Sequence, residues 1–185
     1  MNCLLGSSDE GRMSVLTLLD LSAAFDTLHH SILLARLCDM FGISGKALRG
    51  FSSYLSDRVQ AVSVSGRVSS QKKLHYGVPQ GSVLGPILFT LYIRSLSEVV
   101  SRSRCGHHTF AGDTQLHQSS TPSDFDSLIV DVEQCVDSVG RKMTGNRLKM
   151  NNDKTEAFLV GSRRSVSVSQ YNHLRVGDHD NIISF

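Results

Sequence analysis

The chain has 185 residues, 40% of them hydrophobic and 19% charged, with a formal net charge of +2. That balance describes one domain, or the core of a larger one, and excludes a disordered tail, a collagen-like repeat and a disulfide scaffold. Nineteen Lys and Arg against seventeen Asp and Glu give no global basic field, so contact with nucleic acid would need local positive charge.

In chain order, residues 1–11 hold Asp9 and Glu10 and too few apolar residues for a signal peptide. Residues 15–19 (VLTLL) read as a buried strand that ends at Asp20. Residues 31–40 carry Ile32, Leu33 and Leu37 at helical spacing, with Gly42 and Gly45 beyond the end, and a second helix follows over 46–55. Val62 and Val64 alternate with Ser63 and Ser65, Gly66 turns the chain, and residues 72–78 form the expected return strand. From Gly81 to about Arg102, the positions of Val83, Leu84, Ile87, Leu88, Leu91 and Tyr92 predict a two-sided helix with Pro86 near its start.

Residues 107–118 read as a tight hairpin with Gly112–Asp113 at its tip. Pro122-Ser123-Asp124 opens the clearest helix, with Phe125, Leu128, Ile129, Val132, Cys135, Val136 and Val139 on one stripe. Residues 154–160 (KTEAFLV) are the last strand before a Ser- and Arg-rich stretch without a sustained period. Strands and helices alternate irregularly, with hairpins, which predicts an α+β fold. Residues 83–93, the longest nearly apolar run, are too short to span a bilayer; we expect a soluble, intracellular chain with no membrane partner. Cys3, Cys38, Cys105 and Cys135 show no C-x-x-C spacing and read as buried thiols in a reducing compartment.

Three segments carry chemistry. LLDLSAAFD (18–26) ends an apolar strand on a carboxylate, which must be paired, cap a helix or bind a cation. YGVPQGSVLGP (76–86) spaces Gly77, Gly81 and Gly85 around Pro79 and Gln80. It reads as a stiff turn into a helix whose free N–H groups could meet a flat or anionic ligand, or as a plain strand-to-helix connection. HHTFAGDT (107–114) presents Asp113 at a turn, where an aspartate is also an ordinary turn residue.

In this order and spacing, these segments resemble the palm of a reverse transcriptase, and more narrowly that of LINE-type (non-LTR) retrotransposon enzymes. LLDLSAAFD resembles motif A, YGVPQGSVLGPILF motif B, FAGDT motif C and NRLKMNNDKTE the motif D region; GFSSYLSDRVQAV between motifs A and B fits as well. The resemblance implies a small, mainly antiparallel sheet with helices packed on one face and Asp20 lying close to Asp113. It divides the chain into an N-terminal remnant (1–12), the palm (13–164) and a polar tail (165–185) where a thumb connection would begin, with fingers and thumb largely absent. It implies RNA-directed DNA polymerisation with RNA template, DNA primer and dNTPs, by a two-metal displacement using Mg²⁺, for which Mn²⁺ can substitute.

Carried onto matching positions, the resemblance makes Asp20 and Asp113 metal ligands and Lys154 a catalytic residue near the leaving pyrophosphate. Leu21 would present a backbone carbonyl to the second metal, Phe25 would be the steric gate against a ribose 2′-OH, and Gln80 and Gly81 would line the nucleotide and template pocket.

The sequence also departs from the family pattern. Motif C in the family reads Phe-Ala-Asp-Asp, and here Gly112 occupies the position of the direct metal ligand. Removing one carboxylate from a two-metal site weakens both affinity and positioning, so we expect Mg²⁺ to be weakly bound or absent and polymerase activity impaired or lost. The alternatives are a non-catalytic RNA- or DNA-binding remnant and an inert decayed copy. Gly50 and Lys142 stand where the family commonly places Trp, and the chain has none. His29, His30, His75, His107, His108 and His117 read as surface or structural, and Arg163-Arg164 as a solvated basic pair.

Overall fold

The computed structural model describes residues 2–22, 24–110, 113–161, 173–176 and 179–184. These form two compact units, one from residues 1–22 and 94–185, the other from residues 23–93.

The first unit is built on a six-stranded sheet. Its members are β1 (Met13–Leu19), β7 (Gly106–Phe110), β8 (Asp113–Ser120), β10 (Glu156–Val160), β11 (His173–Val176) and β12 (His179–Ser184), in the order β11-β12-β10-β1-β8-β7. All pairings are antiparallel except β10 with β12. The apolar run of β1 takes the centre of this sheet, where both its edges are paired.

Side chains alternate across the pleat, and the registers Thr17↔Leu116, Thr17↔Ala157, Val15↔Leu159 and Leu19↔Thr114 put these buried residues on one face. That face belongs to the core with α6 (Phe125–Gly145), the helix that packs against β8, β11 and β1. Its buried stripe of Phe125, Leu128, Ile129, Val132, Cys135, Val136, Val139 and Met143 follows the spacing read in the sequence. On the other face, Asp113, Gln115 and Glu156 are exposed while Leu16, Leu18 and Phe158 are half-buried. The α+β architecture with helix cover on one sheet face is therefore as expected.

The second unit packs α3 (His30–Asp39) on α4 (Gly45–Leu55). Leu28, Leu33, Leu37, Leu55, Val78, Leu88, Phe89 and Tyr92 form its buried core. The Arg36 guanidinium lies 4.7 Å from the centre of the Tyr92 ring and donates to the Tyr92 carbonyl, closing α3 onto α5 (Leu84–Val100) within this unit.

Several boundaries differ from the sequence reading. The return strand expected over 72–78 is only β6 (Lys72–Lys73), paired with β3 (Val59–Gln60); β4 (Ser63–Val64) and β5 (Arg67–Val68) pair around the Ser65–Gly66 turn. Every residue of 59–76 is exposed, so no buried face enforces a longer ladder. Helix α5 is one-sided: Val83, Leu84 and Ile87 are exposed, and the buried stripe starts at Leu88. Lys154 belongs to a 3₁₀ turn (Asn152–Lys154) ahead of β10. A short N-terminal helix, α1 (Asn2–Asp9), and the strands β11 and β12 had no periodic signal.

Candidate active site on the motif A strand

β1 ends at Leu19, whose partner on β8 is Thr114; Asp20 follows the end of β1, and Asp113 begins β8. Phe110 pairs with Asp113 across the β7–β8 hairpin. Asp113 is thus the first residue of a strand, whereas the sequence reading puts it at the tip; Ala111 and Gly112 lie outside the described residues.

A turn far along the chain grips Asp20. Helix α6 closes with Arg147 in the left-handed region (φ 58°), Leu148 N–H donating to Met143 O at 2.9 Å and Arg147 N–H to Thr144 O at 2.9 Å. This is a Schellman closure, sealed by burial of both Leu148 and Met143. The reversal sends the chain into β9 (Lys149–Met150), which pairs with β2 (Leu21–Ser22). Asn151 then donates its backbone N–H to Asp20 O at 2.9 Å and its side-chain Nδ2 to Asp20 Oδ2 at 3.0 Å. Because Asp20 and Asn151 take the hydrogen-bonded place in this ladder, the Leu21↔Met150 pair is the non-bonded one and the Leu21 carbonyl points away from β9. Lys154 is exposed in the turn that follows. Sequence reasoning does not single out Asn151; it lies in the quoted NRLKMNNDKTE segment, but nothing in that segment marks a partner 131 residues away.

In the second unit, the motif B turn is docked on α2 (Ala24–Thr27). Gly77 N–H donates to Leu28 O at 2.7 Å and Val78 N–H to Phe25 O at 2.9 Å. Gly77 has φ 83°, and a Cβ there would meet Phe25 O at 3.0 Å and the Asp26 Cα at 3.1 Å. Only glycine satisfies both demands. Gln80 Nε2 donates to Asp26 Oδ1 at 3.0 Å, a contact with a residue to which the sequence reading gives no role. Gly81 has φ 76° with open space where its Cβ would be. Phe25 is half-buried, its ring 4.9 Å from that of Phe89.

The histidines act structurally here: the His30 ring bonds Gly77 O at 2.7 Å, and the His29 ring meets Tyr76 edge-on at 5.2 Å. Gly50 is exposed, and a Cβ added there would meet nothing within 4 Å, so the missing ring leaves no hole in the core. Arg163 and Arg164 lie outside the described residues.

The donor set does not fit a two-ion centre. The Asp20 carboxylate already accepts from Asn151, and among the described residues no three His, Cys, Asp or Glu side chains converge to hold a metal. No helix among them is long and apolar enough to cross a membrane.

Residues 5–176 match the family model described as reverse transcriptase (RNA-dependent DNA polymerase). The RNA-directed DNA polymerase from mobile element jockey of Drosophila melanogaster is 36% identical over 92 residues, which is 50% of this chain and 10% of that protein. The Pol polyprotein of the type-1 retrotransposable element R2 from Popillia japonica is 34% identical over 84 residues, 45% of this chain and 13% of that protein. The chain thus spans about a tenth of the curated relatives it matches. Apo telomerase from Candida tropicalis shares the fold, with a TM-score of 0.66 at 15% identity, covering 97% of this chain and 33% of that one. A carboxylate strand beside a hairpin, a glycine turn leading into a helix, and a family match over nearly the whole sequence agree: the chain belongs to the reverse transcriptase family, and it resembles the polymerases of LINE-type elements.

Proposed function

We propose that the chain is the palm portion of an RNA-directed DNA polymerase of a non-LTR retrotransposon, extending a DNA primer on an RNA template with dNTPs, and that this copy is impaired. What supports the reading is the family match over residues 5–176, together with Asp20 at the end of β1, gripped by Asn151, and Asp113 at the start of the adjacent β8. In the same reading Leu21 offers its carbonyl, Lys154 sits near the leaving group, and Phe25, Gln80 and Gly81 border the incoming nucleotide. Mg²⁺ is the ion such a polymerase uses, and the impairment follows from Gly112 standing where the family has a ligand.

The test is calorimetric titration of Mn²⁺ into the chain and into its Gly112→Asp variant. The variant is expected to bind about tenfold or more tightly, because one added carboxylate restores both charge and geometry. Equal affinity in the two would remove Gly112 as the lesion. A second reading, non-catalytic binding of RNA and DNA, draws support from the thin donor set within an otherwise well-packed fold. It predicts salt-dependent affinity for an RNA–DNA hybrid that is the same with and without Gly112→Asp.

A further inference from the structure

Cys105 and Cys135 are thirty positions apart in sequence and read there as separate buried thiols. The fold brings them together. Cys105 immediately precedes β7, and Cys135 sits in the buried stripe of α6 between Val132 and Val136. Both are free, and their sulfurs lie within hydrogen-bonding reach of each other. Ser103 joins them: its Oγ accepts the Cys105 backbone N–H at 3.2 Å and lies 3.3 Å from Cys135 Sγ, its single proton shared between that sulfur and Val100 O at 2.7 Å.

The two sulfurs are not equivalent. Cys105 has one proton and two acceptors, Gln118 Oε1 at 3.2 Å and Cys135 Sγ. Gln118 is itself fixed by donating to Asp131 Oδ2 at 3.2 Å, and Asp131 is held by Arg104 at 3.5 Å. The Cys105 S–H and the Ser103 hydroxyl favour a negative sulfur at Cys135, lowering its pKa against the opposing effect of burial. Cys105 is pushed far up by its bond to Cys135, by burial and by the neighbouring charge. Cys135, although only 3% exposed, lines a cavity of about 550 Å³ together with Arg102, Arg104 and Gln134. A small neutral oxidant fits that space.

We propose that Cys105 and Cys135 form a redox-active dithiol, in which a hydroperoxide entering the cavity oxidises Cys135 and Cys105 then closes the disulfide. In the first step the Cys135 thiolate attacks the terminal peroxide oxygen; the S–O bond forms, the O–O bond breaks, and the departing oxygen leaves as water or alcohol after taking a proton. In the second, Cys105 sulfur attacks Cys135 sulfur; the S–S bond forms, the S–O bond breaks, and hydroxide leaves, taking the Cys105 proton as water. The two thiols together lose two electrons and two protons, and the peroxide is reduced. Once Cys135 is oxidised, the negative sulfur that held the Cys105 proton is gone, so the second step follows the first. The closed bond would tie the entry of β7, the strand paired with the Asp113 strand, to α6.

The experiment treats the full chain with limiting hydrogen peroxide, quenches in acid, and maps linked peptides by mass spectrometry, with exposed Cys38 as internal reference. The expected product is a Cys105–Cys135 linked peptide lacking two hydrogens, reversed by dithiothreitol and about tenfold more abundant than any product at Cys38, because Cys135 has a second thiol at hand to close the disulfide. In Cys105→Ser, Cys135 should instead be trapped by dimedone as the sulfenic acid. Oxidation of Cys38 while Cys105 and Cys135 stay reduced in the folded chain would overturn the proposal. The linked peptide is read in the unsubstituted chain, so the outcome does not depend on how well the serine variant folds, nor on polymerase activity.

Discussion

Two turns grip the two ends of the motif A segment, and they do so by different chemistry. The Gly77 turn holds α2 through backbone alone: two peptide hydrogen bonds, a left-handed φ and an approach that a Cβ would crowd at 3.0 Å. The Asn151 turn holds Asp20 through one peptide bond and one side-chain amide. The first grip depends on what Gly77 lacks, and the identities of its neighbours hardly matter to it. The second depends on a particular side chain meeting a particular carboxylate, so a single exchange at Asn151 reaches the Asp20 side chain directly. A site assembled this way can lose its reactive groups while its frame persists, which is what Gly112 on an intact sheet would look like.

The comparison is broken most severely at Gly77. Gly77→Ala should destabilise the second unit by about 3 kcal/mol, because left-handed strain adds to collision with the Phe25 carbonyl; chemical denaturation would read it, and a loss under about 1 kcal/mol would show that the turn can slide. Asn151→Ala should cost about 1.5 kcal/mol, the worth of a hydrogen bond to a carboxylate. That variant should also loosen Asp20, seen as a changed Asp20 carboxyl chemical shift at one fixed pH, whereas Gly77→Ala should leave that signal in place.

Arg147→Gly should sharpen the contrast in the opposite direction. It relieves a non-glycine residue in the left-handed position that closes α6, raising stability by about 1 kcal/mol without touching Asn151. The smallest effect belongs to His117, whose pKa burial lowers, with His107 adding to the effect. Its neutral form is favoured in the fold, so its contribution is complete above the ordinary value of 6.5 and is lost as pH falls below it toward the folded value. Replacing His117 with Gln should flatten stability against pH in that window, measured by denaturation at several pH values.

What could be read in the sequence was what repeats locally. The α6 stripe from Phe125 to Val139, the VLTLL strand and the helix over 46–55 announce themselves by period, and Asp20 by being a carboxylate at the end of an apolar run. The candidate site residues are nominated by the sequence because each lies inside a short, ordered segment. Their partners could not. Asn151 meets Asp20, Gln80 meets Asp26 and Cys105 meets Cys135 only after the sheet and turns have formed, and no periodicity reports a contact made across so many residues. Strands β11 and β12 escape notice for a related reason: β12 gains its place by pairing with β10, and runs of 4 and 6 residues are too short to establish a period of their own.

The central position of β1 has a consequence for how the molecule comes into being. Its two neighbours, β8 and β10, are made long after it; Leu16 meets Phe158 about 140 residues later in the chain. At ribosomal rates of about 5–20 residues per second, the β10 edge of VLTLL waits roughly 7–30 seconds for its partner. An unpaired apolar strand is a template for association with other chains during that interval. The nascent chain therefore passes through a window in which its most buried strand is its most adhesive one, and whatever shields residues 13–19 during synthesis governs the yield of folded protein.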